Sequence, residues 1–311
     1  MDLDQLRRDL EPFSFDGPIE HSDPTRSYFR YYGIDFEDRI DVQHRFGCLP
    51  DCDFNIALHY FQPDSPRGTV FVMHGYFDHV GIYAHLIEYF LTRNYAVVSY
   101  DQPGHGLSGG QRTSIDSFDQ YVEVLTHCLS SCDDHCARPW HIVGQSLAGA
   151  IIMTHLLRNR YSSASCPFDQ IVVLAPLVHP SGWRMGKWMH AVGKYFFRQR
   201  KRTFNINSHD DAFLEFLRNR DSLQSTILPM HWVTALKVWI REFHSLPTSS
   251  LSITVIQGTD DHTVDWRYNM KVVREKFPNL TIHYLTDGRH QLVNESESLR
   301  SNMFDLMDSL F

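Results

Sequence analysis

Residues 140–150 read Trp140-His141-Ile142-Val143-Gly144-Gln145-Ser146-Leu147-Ala148-Gly149-Ala150. The first part is a short β-branched run of the kind that fills a buried strand, and the residues after Ser146 are small, apolar and helix-compatible. A serine on such a strand–turn–helix bend has its Oγ pushed out above the carboxyl edge of the sheet. Small residues must flank it, because the turn brings the strand and helix backbones together; this is the G-x-S-x-G nucleophile elbow. Here the fifth position is Ala148 rather than Gly, a difference of one methyl. A strand-to-helix turn also collects Gly and Ser for purely structural reasons, so the catalytic reading needs partners elsewhere in the chain.

Working outward, similar runs recur at 69–74, 95–101, 170–176, 252–258 and 280–285, each bounded by Gly, Pro or Asp. That is how buried parallel strands read. Upstream, 41–47 and 54–61 read as an antiparallel hairpin at the sheet edge. In the second run Phe54, Ile56, Leu58 and Tyr60 alternate, the period of a half-buried strand. Helical stretches are expected near 80–93, 116–134, 147–160, 264–277 and 294–310. The alternation predicts an α/β fold with a doubly wound, mostly parallel eight-stranded sheet. About seventy residues without a strand pattern separate Pro176 from Ser252, and helices are expected there near 183–200, 209–219 and 230–241. An insertion of that length is read as a helical cap between strands 6 and 7. The expected division is a core of 39–178 and 251–311, a cap of 179–250, and an N-terminal extension, 1–38, left unassigned.

Composition narrows the classes. With 311 residues, 42% hydrophobic and 21% charged, the chain is globular and long enough to bury a core without staples. A net charge of −8 argues against nucleic-acid binding. No apolar run approaches a membrane span, and the start has no apolar core of a signal peptide. Six cysteines in a chain this long are not a disulfide framework, so a cytoplasmic setting is expected.

A nucleophilic serine needs a base, and the base an orienting acid. In chain order Ser, acid, His, the strand at 252–258 is followed by Thr259-Asp260-Asp261-His262, and the strand at 280–285 by Thr286-Asp287-Gly288-Arg289-His290. All three loops open at the carboxyl edge of the sheet. Asp260 and Asp261 compete for the acid; Asp261 is preferred because the spacing from Gly258 leaves room to turn back toward the base, with Asp260 capping the turn. His283 competes with His290 but falls inside a strand pattern. The oxyanion that develops on the substrate needs two backbone N–H donors. Leu147, after the nucleophile, and Tyr76, in His74-Gly75-Tyr76-Phe77, are the candidates.

HGYFDHVGIY (74–83), SYDQPGHGLSGG (99–110), GQSLAGA (144–150), QGTDDHTVD (257–265) and DGRH (287–290) together resemble the α/β-hydrolase superfamily, in its lysophospholipase and monoacylglycerol-lipase-like branch. The resemblance spans most of 68–300. It implies hydrolysis of a lipid-like ester by Ser146, Asp261 and His290, without metal or other cofactor, and supports Tyr76 and Leu147 as donors. The cap matches no pattern residue by residue.

Residues 181–204 carry seven Lys/Arg and no acid. Met185, Trp188, Met189, Val192, Tyr195 and Phe196 share one helical face, and Lys187, Lys194, Arg198 and Lys201 another. Such a helix covers the pocket, with Trp183, Trp188 and Phe196 lining it, makes peripheral contact with an anionic membrane surface or recognises a lipid head group, or, least, meets nucleic acid; the lipid readings are compatible, one face lining an acyl tunnel while the other meets phosphate. Cys128, Cys132 and Cys136, at the end of a helix expected to face outward, lack zinc-site spacing and are read as free thiols. The expected function is a serine hydrolase of single-acyl lipids, lysophospholipid or monoacylglycerol. Its rivals are a carboxylesterase or thioesterase for smaller acyl groups, a peptidase of the same fold, and a non-catalytic lipid binder.

Overall fold

The sheet strands are apolar at successive positions, and the reason is that both faces of the sheet are covered. The structure, a computed structural model, describes residues 2–183 and 198–311. Its main sheet has eight strands in the order β1-β2-β4-β3-β5-β6-β9-β10. These are β1 (Val42–Leu49), β2 (Ile56–Pro63), β3 (Thr69–Met73), β4 (Ala96–Tyr100), β5 (Trp140–Gln145), β6 (Phe168–Leu174), β9 (Thr254–Gly258) and β10 (Thr281–Leu285). Only β2 runs against its neighbours; from β4 to β10 every pairing is parallel. Alternate side chains enter two different cores, as a pleated strand requires. Phe71, Ile142, Val173 and Val255 pack on one face. Val72, Val143, Val172 and Ile256 pack on the other.

The first face is covered by α4 (Phe118–Cys132), α5 (Leu147–Asn159) and α8 (Trp266–Lys276). The second is covered by α3 (Ala84–Leu91) and α9 (Glu297–Asp308). Ser117 and Gln120 form a reciprocal capping box that starts α4. Cys128, Cys132 and Cys136 point into the core rather than outward, because α4 turns that face to the sheet.

The N-terminal extension 1–38, unassigned from sequence, is part of the fold over its described residues 2–38. After the short helix α1 (Leu3–Arg8), Ser22 caps α2 (Asp23–Tyr32) by accepting from the Thr25 N–H, and Gly33 closes it at φ 68°. Thr25, Tyr28, Phe29 and Tyr32 are buried at i, i+3, i+4 and i+7. This stripe packs over His44, His59 and Phe46. It corrects the half-buried reading of the second run: β2 is buried on both sides, Ile56, Leu58 and Tyr60 facing one core and Ala57 and Phe61 the other.

Between β6 and β9 the chain is not the purely helical stretch that the sequence led us to expect. Gln199–Lys201 (β7) and Ile227–Pro229 (β8) form an antiparallel pair, each too short to show a period of two. Gln199–Lys201 thus ends in strand the stretch expected as helix over 183–200, of which 184–197 lie outside the described residues. Two helices follow the expected positions, α6 (Asp211–Asn219) and α7 (Met230–Ser245). α7 is sewn to the core where Trp239 Nε1 donates to Thr154 Oγ1 (2.9 Å) and the Trp239 ring stacks on Phe118.

Candidate active site

The bend between β5 and α5 holds Ser146 at φ 55° and ψ −108°. A non-glycine residue there is strained, and the surrounding packing must hold it. Two glycines allow the strand and helix to close. A Cβ on Gly144 would lie 2.9 Å from the Ala148 methyl and 2.5 Å from Ile152 Cδ1. A Cβ on Gly149 would collide with Val173 and Pro176. The methyl at position 148 is tolerated because Gly144 beneath it has none.

The loops after β9 and β10 converge on this serine. His290 Nε2 lies 2.9 Å from Ser146 Oγ, and His290 Nδ1 lies 2.8 Å from Asp261 Oδ2. Asp261 also accepts from the backbone N–H groups of Thr263 (2.8 Å) and Val264 (3.2 Å) and from Gln257 Nε2 (3.2 Å). All three residues are buried. Burial by itself would push the His290 imidazole down, but the charge and hydrogen bond of Asp261, with the charge of Asp78 behind, raise it above its ordinary value. Burial would likewise raise Asp261; the His290 charge and the donors around the carboxylate lower it instead. Asp260, by contrast, faces outward and pairs with Arg289 and His262. His283 lies on β10, away from the serine loop.

The loop after β3 comes alongside. A Cβ on Gly75 would stand 3.4 Å from Ser146 Cβ, and the Gly75 N–H is already given to Tyr83 Oη (3.0 Å). The N–H groups of Tyr76 and Leu147 meet no acceptor among the described residues. That of Leu147 is one of the orphan donors of a helix start. The Tyr76 side chain is fixed by a bond from Oη to the Thr113 carbonyl (2.6 Å) and by stacking on Trp232 at 3.7 Å.

Sequence reasoning missed the side chains that brace this arrangement. Gln145 Nε2 donates to Gln291 Oε1 (2.6 Å), Gln291 Nε2 to Asp78 Oδ1 (2.8 Å), and Tyr83 Oη to Asp78 Oδ2 (3.0 Å). This buried relay joins the residue before the serine, the residue after the histidine, and the loop after β3. Their places next to Ser146 and His290 in the chain were the available signal. Asp101 likewise accepts from the Val80 N–H (2.8 Å) and the Leu107 N–H (2.7 Å), tying two of the quoted motifs together. The segment between β6 and β9 clasps the histidine loop: the Gln291 N–H donates to the Asn207 carbonyl (2.8 Å), and buried Glu295 accepts from the Arg289 N–H (2.6 Å) and the His209 N–H (2.8 Å).

Of the expected cap residues, Trp183 packs against the core with its ring 5.9 Å from His179, just beyond Ser181, whose N–H donates to Thr263 in the acid loop. Trp188 and Phe196 lie outside the described residues.

Against known proteins, the sequence signature of Hydrolase_4, described as serine aminopeptidase S33, matches residues 64–297. The chain belongs to the Hydrolase_4 family. This Hydrolase_4 chain is 32% identical over 102 residues to the monoacylglycerol lipase of Mycolicibacterium smegmatis, covering 32% of this chain and 36% of that one. It is 33% identical over 122 residues to human monoglyceride lipase, covering 38% of each. The matched stretch therefore spans under half the length of these relatives. Among solved structures it superposes on Paleococcus ferrophilus monoacylglycerol lipase with a TM-score of 0.69 at 18% identity, over 82% of this chain and 98% of that one. A soluble variant of the Saccharomyces cerevisiae monoglyceride lipase, in complex with a substrate analogue, gives 0.70 at 15% identity, over 86% and 93%. These likenesses establish the α/β-hydrolase fold.

Proposed function

We propose that this chain is a serine hydrolase that cleaves carboxylic esters of single-acyl lipids through an acyl-enzyme on Ser146. The observation that carries the reading is the unbroken chain of hydrogen bonds from Ser146 Oγ through the His290 ring to the Asp261 carboxylate. His290 Nε2 takes the hydroxyl proton as Oγ attacks the acyl carbon, and Asp261 stabilises the imidazolium that forms. The carbonyl oxygen, now an oxyanion, is met by the N–H groups of Tyr76 and Leu147. His290 returns the proton to the departing alcohol, and the acyl-enzyme is opened by a water that the same base activates.

The lipid-ester class is supported by relatives named monoacylglycerol lipase and monoglyceride lipase. It is also supported by the aromatic, methionine-containing composition of 181–204. The exposed Arg198, Arg200 and Lys201, at the described end of that basic stretch, suit peripheral contact with an anionic membrane surface. No helix among the described residues is long and apolar enough to cross a membrane. Trp183 at the cap's entrance is read as a wall of the acyl pocket.

A fluorophosphonate probe tests the chemistry directly. Covalent adduct on the peptide containing Ser146, absent in Ser146→Ala, is the expected result. A folded protein that remains unlabelled would return the chain to the class of non-catalytic binders.

A further inference from the structure

Two guanidinium groups are drawn into the cap–core junction with no carboxylate partner among the described residues, and they differ in what they leave free. Arg112 spends Nη1 on the Gly106 carbonyl (2.9 Å) and Nη2 on the Leu223 carbonyl (2.7 Å), so it serves as a tie between loops. Arg202, just after β7, directs Nη1 alone, to the Gln224 side-chain oxygen and to the Ser225 carbonyl (3.4 Å). Its Nε and Nη2 meet no acceptor among the described residues, and the residue as a whole is half-buried. The group lies over the Phe77 ring at 4.1 Å and over the Phe204 ring at 4.5 Å, so its plane is fixed. Burial lowers its pKa, partly offset by the charges of Asp78 and Asp221, to about 10, which leaves it charged at neutral pH. No acid lies in 184–197 to neutralise it.

The position matters as much as the charge. Phe77 follows Tyr76 in the oxyanion loop, and Gly75 of that loop touches Ser146. The guanidinium therefore stands over a residue about 7 Å of chain away from the one beside the nucleophile. An Nε/Nη2 edge held in plane is the fork that grips phosphate oxygens two at a time.

We propose that Arg202 reads the head group of the substrate, its open edge pairing with a phosphate on the alcohol portion of the ester that Ser146 cleaves. This rests on the lipid-ester reading above: a fatty acyl chain carries no charge, so the anion that Arg202 meets belongs to the leaving alcohol. The preferred substrate class is then a lysophospholipid with an accessible phosphate rather than a neutral monoacylglycerol.

The test is fatty-acid release from monoacylglycerol and from its 3-phosphate, with matched acyl chains in mixed micelles, by the wild type, Arg202→Gln, Arg202→Lys and Ser146→Ala. The wild type is expected to favour the phosphate by about 10- to 100-fold in kcat/KM, the worth of a charge-assisted pair, expressed mainly in KM. Arg202→Gln should bring the ratio of the two substrates to about 1, and Arg202→Lys, which keeps the charge without the fork, to an intermediate value. A purely structural tie would lower both activities together and leave the ratio where it was. Ser146-dependent release with no preference for the phosphate, or a ratio unchanged in Arg202→Gln, overturns the assignment and leaves the hydrolase reading standing. No release from either lipid overturns both.

Discussion

Ser146 is held at φ 55° and ψ −108°, where a Cβ is unwelcome and a glycine is at ease. Ser146→Ala and Ser146→Gly should both be inactive. The glycine variant is expected to be the more stable by about 1 kcal/mol, because it releases the backbone strain. Equal melting temperatures would mean that the bend stores none. The two adjacent acids separate just as sharply. Asp261→Asn should lower kcat about 10³- to 10⁴-fold, since the amide no longer stabilises the imidazolium. Asp260→Asn touches only a half-buried cluster with Arg289 and His262, away from the serine, and should stay near wild type; the reverse ranking would reassign the acid. The pH profile carries the same logic. His290 must be neutral to accept the proton, and its pKa is raised, so the acid limb of kcat/KM should have its midpoint above 6.5. Residual activity in Asp261→Asn should have its limb at lower pH, because the Asp261 charge and hydrogen bond are gone and only the more distant Asp78 charge still opposes burial.

At the scale of elements, α2, the loop after β3 and the segment between β6 and β9 are joined through one buried pair. His79 Nε2 meets Asp221 Oδ2 at 3.0 Å, and Tyr32 Oη donates to Asp221 Oδ1 at 2.7 Å. Burial opposes both charges, but mutual attraction wins: His79 is raised and Asp221 lowered. Tyr32→Phe removes a bond to a charged acceptor and should cost about 2 kcal/mol, read from urea unfolding at neutral pH. A loss within error would show that the Tyr32–Asp221 bond contributes nothing to holding α2. The parallel strands and the three loops that converge on Ser146 were legible in the sequence because each strand carries its own apolar run and each loop its own motif. The α2 stripe of Thr25, Tyr28, Phe29 and Tyr32 was equally regular but hidden in a polar, aromatic-rich background. The β7–β8 pair, three residues a strand, is below the length at which alternation is visible. The Gln145–Gln291–Asp78 relay could not be read, because its partners meet only after the sheet has closed.

Across the whole molecule, buried histidines set the response to acid. Burial lowers His44, His59 and His105 well below the ordinary histidine value, and lowers His155 to about 4. Groups favoured neutral in the folded state give stability that is complete above their unfolded pKa of about 6.5 and lost as pH falls below it. His79 and His290 act oppositely, since their raised values contribute stability that is complete below about 6.5 and lost as pH rises through the folded pKa. The melting temperature should therefore peak near neutrality and fall steeply between about pH 6.5 and 4, His155 alone accounting for roughly 3 kcal/mol at the acid end. A flat profile down to pH 4 would contradict the burial of this set. The same closed, buried architecture converges on a single serine, and its chemistry is tested most directly by fatty-acid release from monoacylglycerol and lysophosphatidylcholine of matched chain length, with Ser146→Ala alongside. Release from at least one, abolished in the variant, is the predicted result; no release from either, or release undiminished in a folded Ser146→Ala, would contradict it.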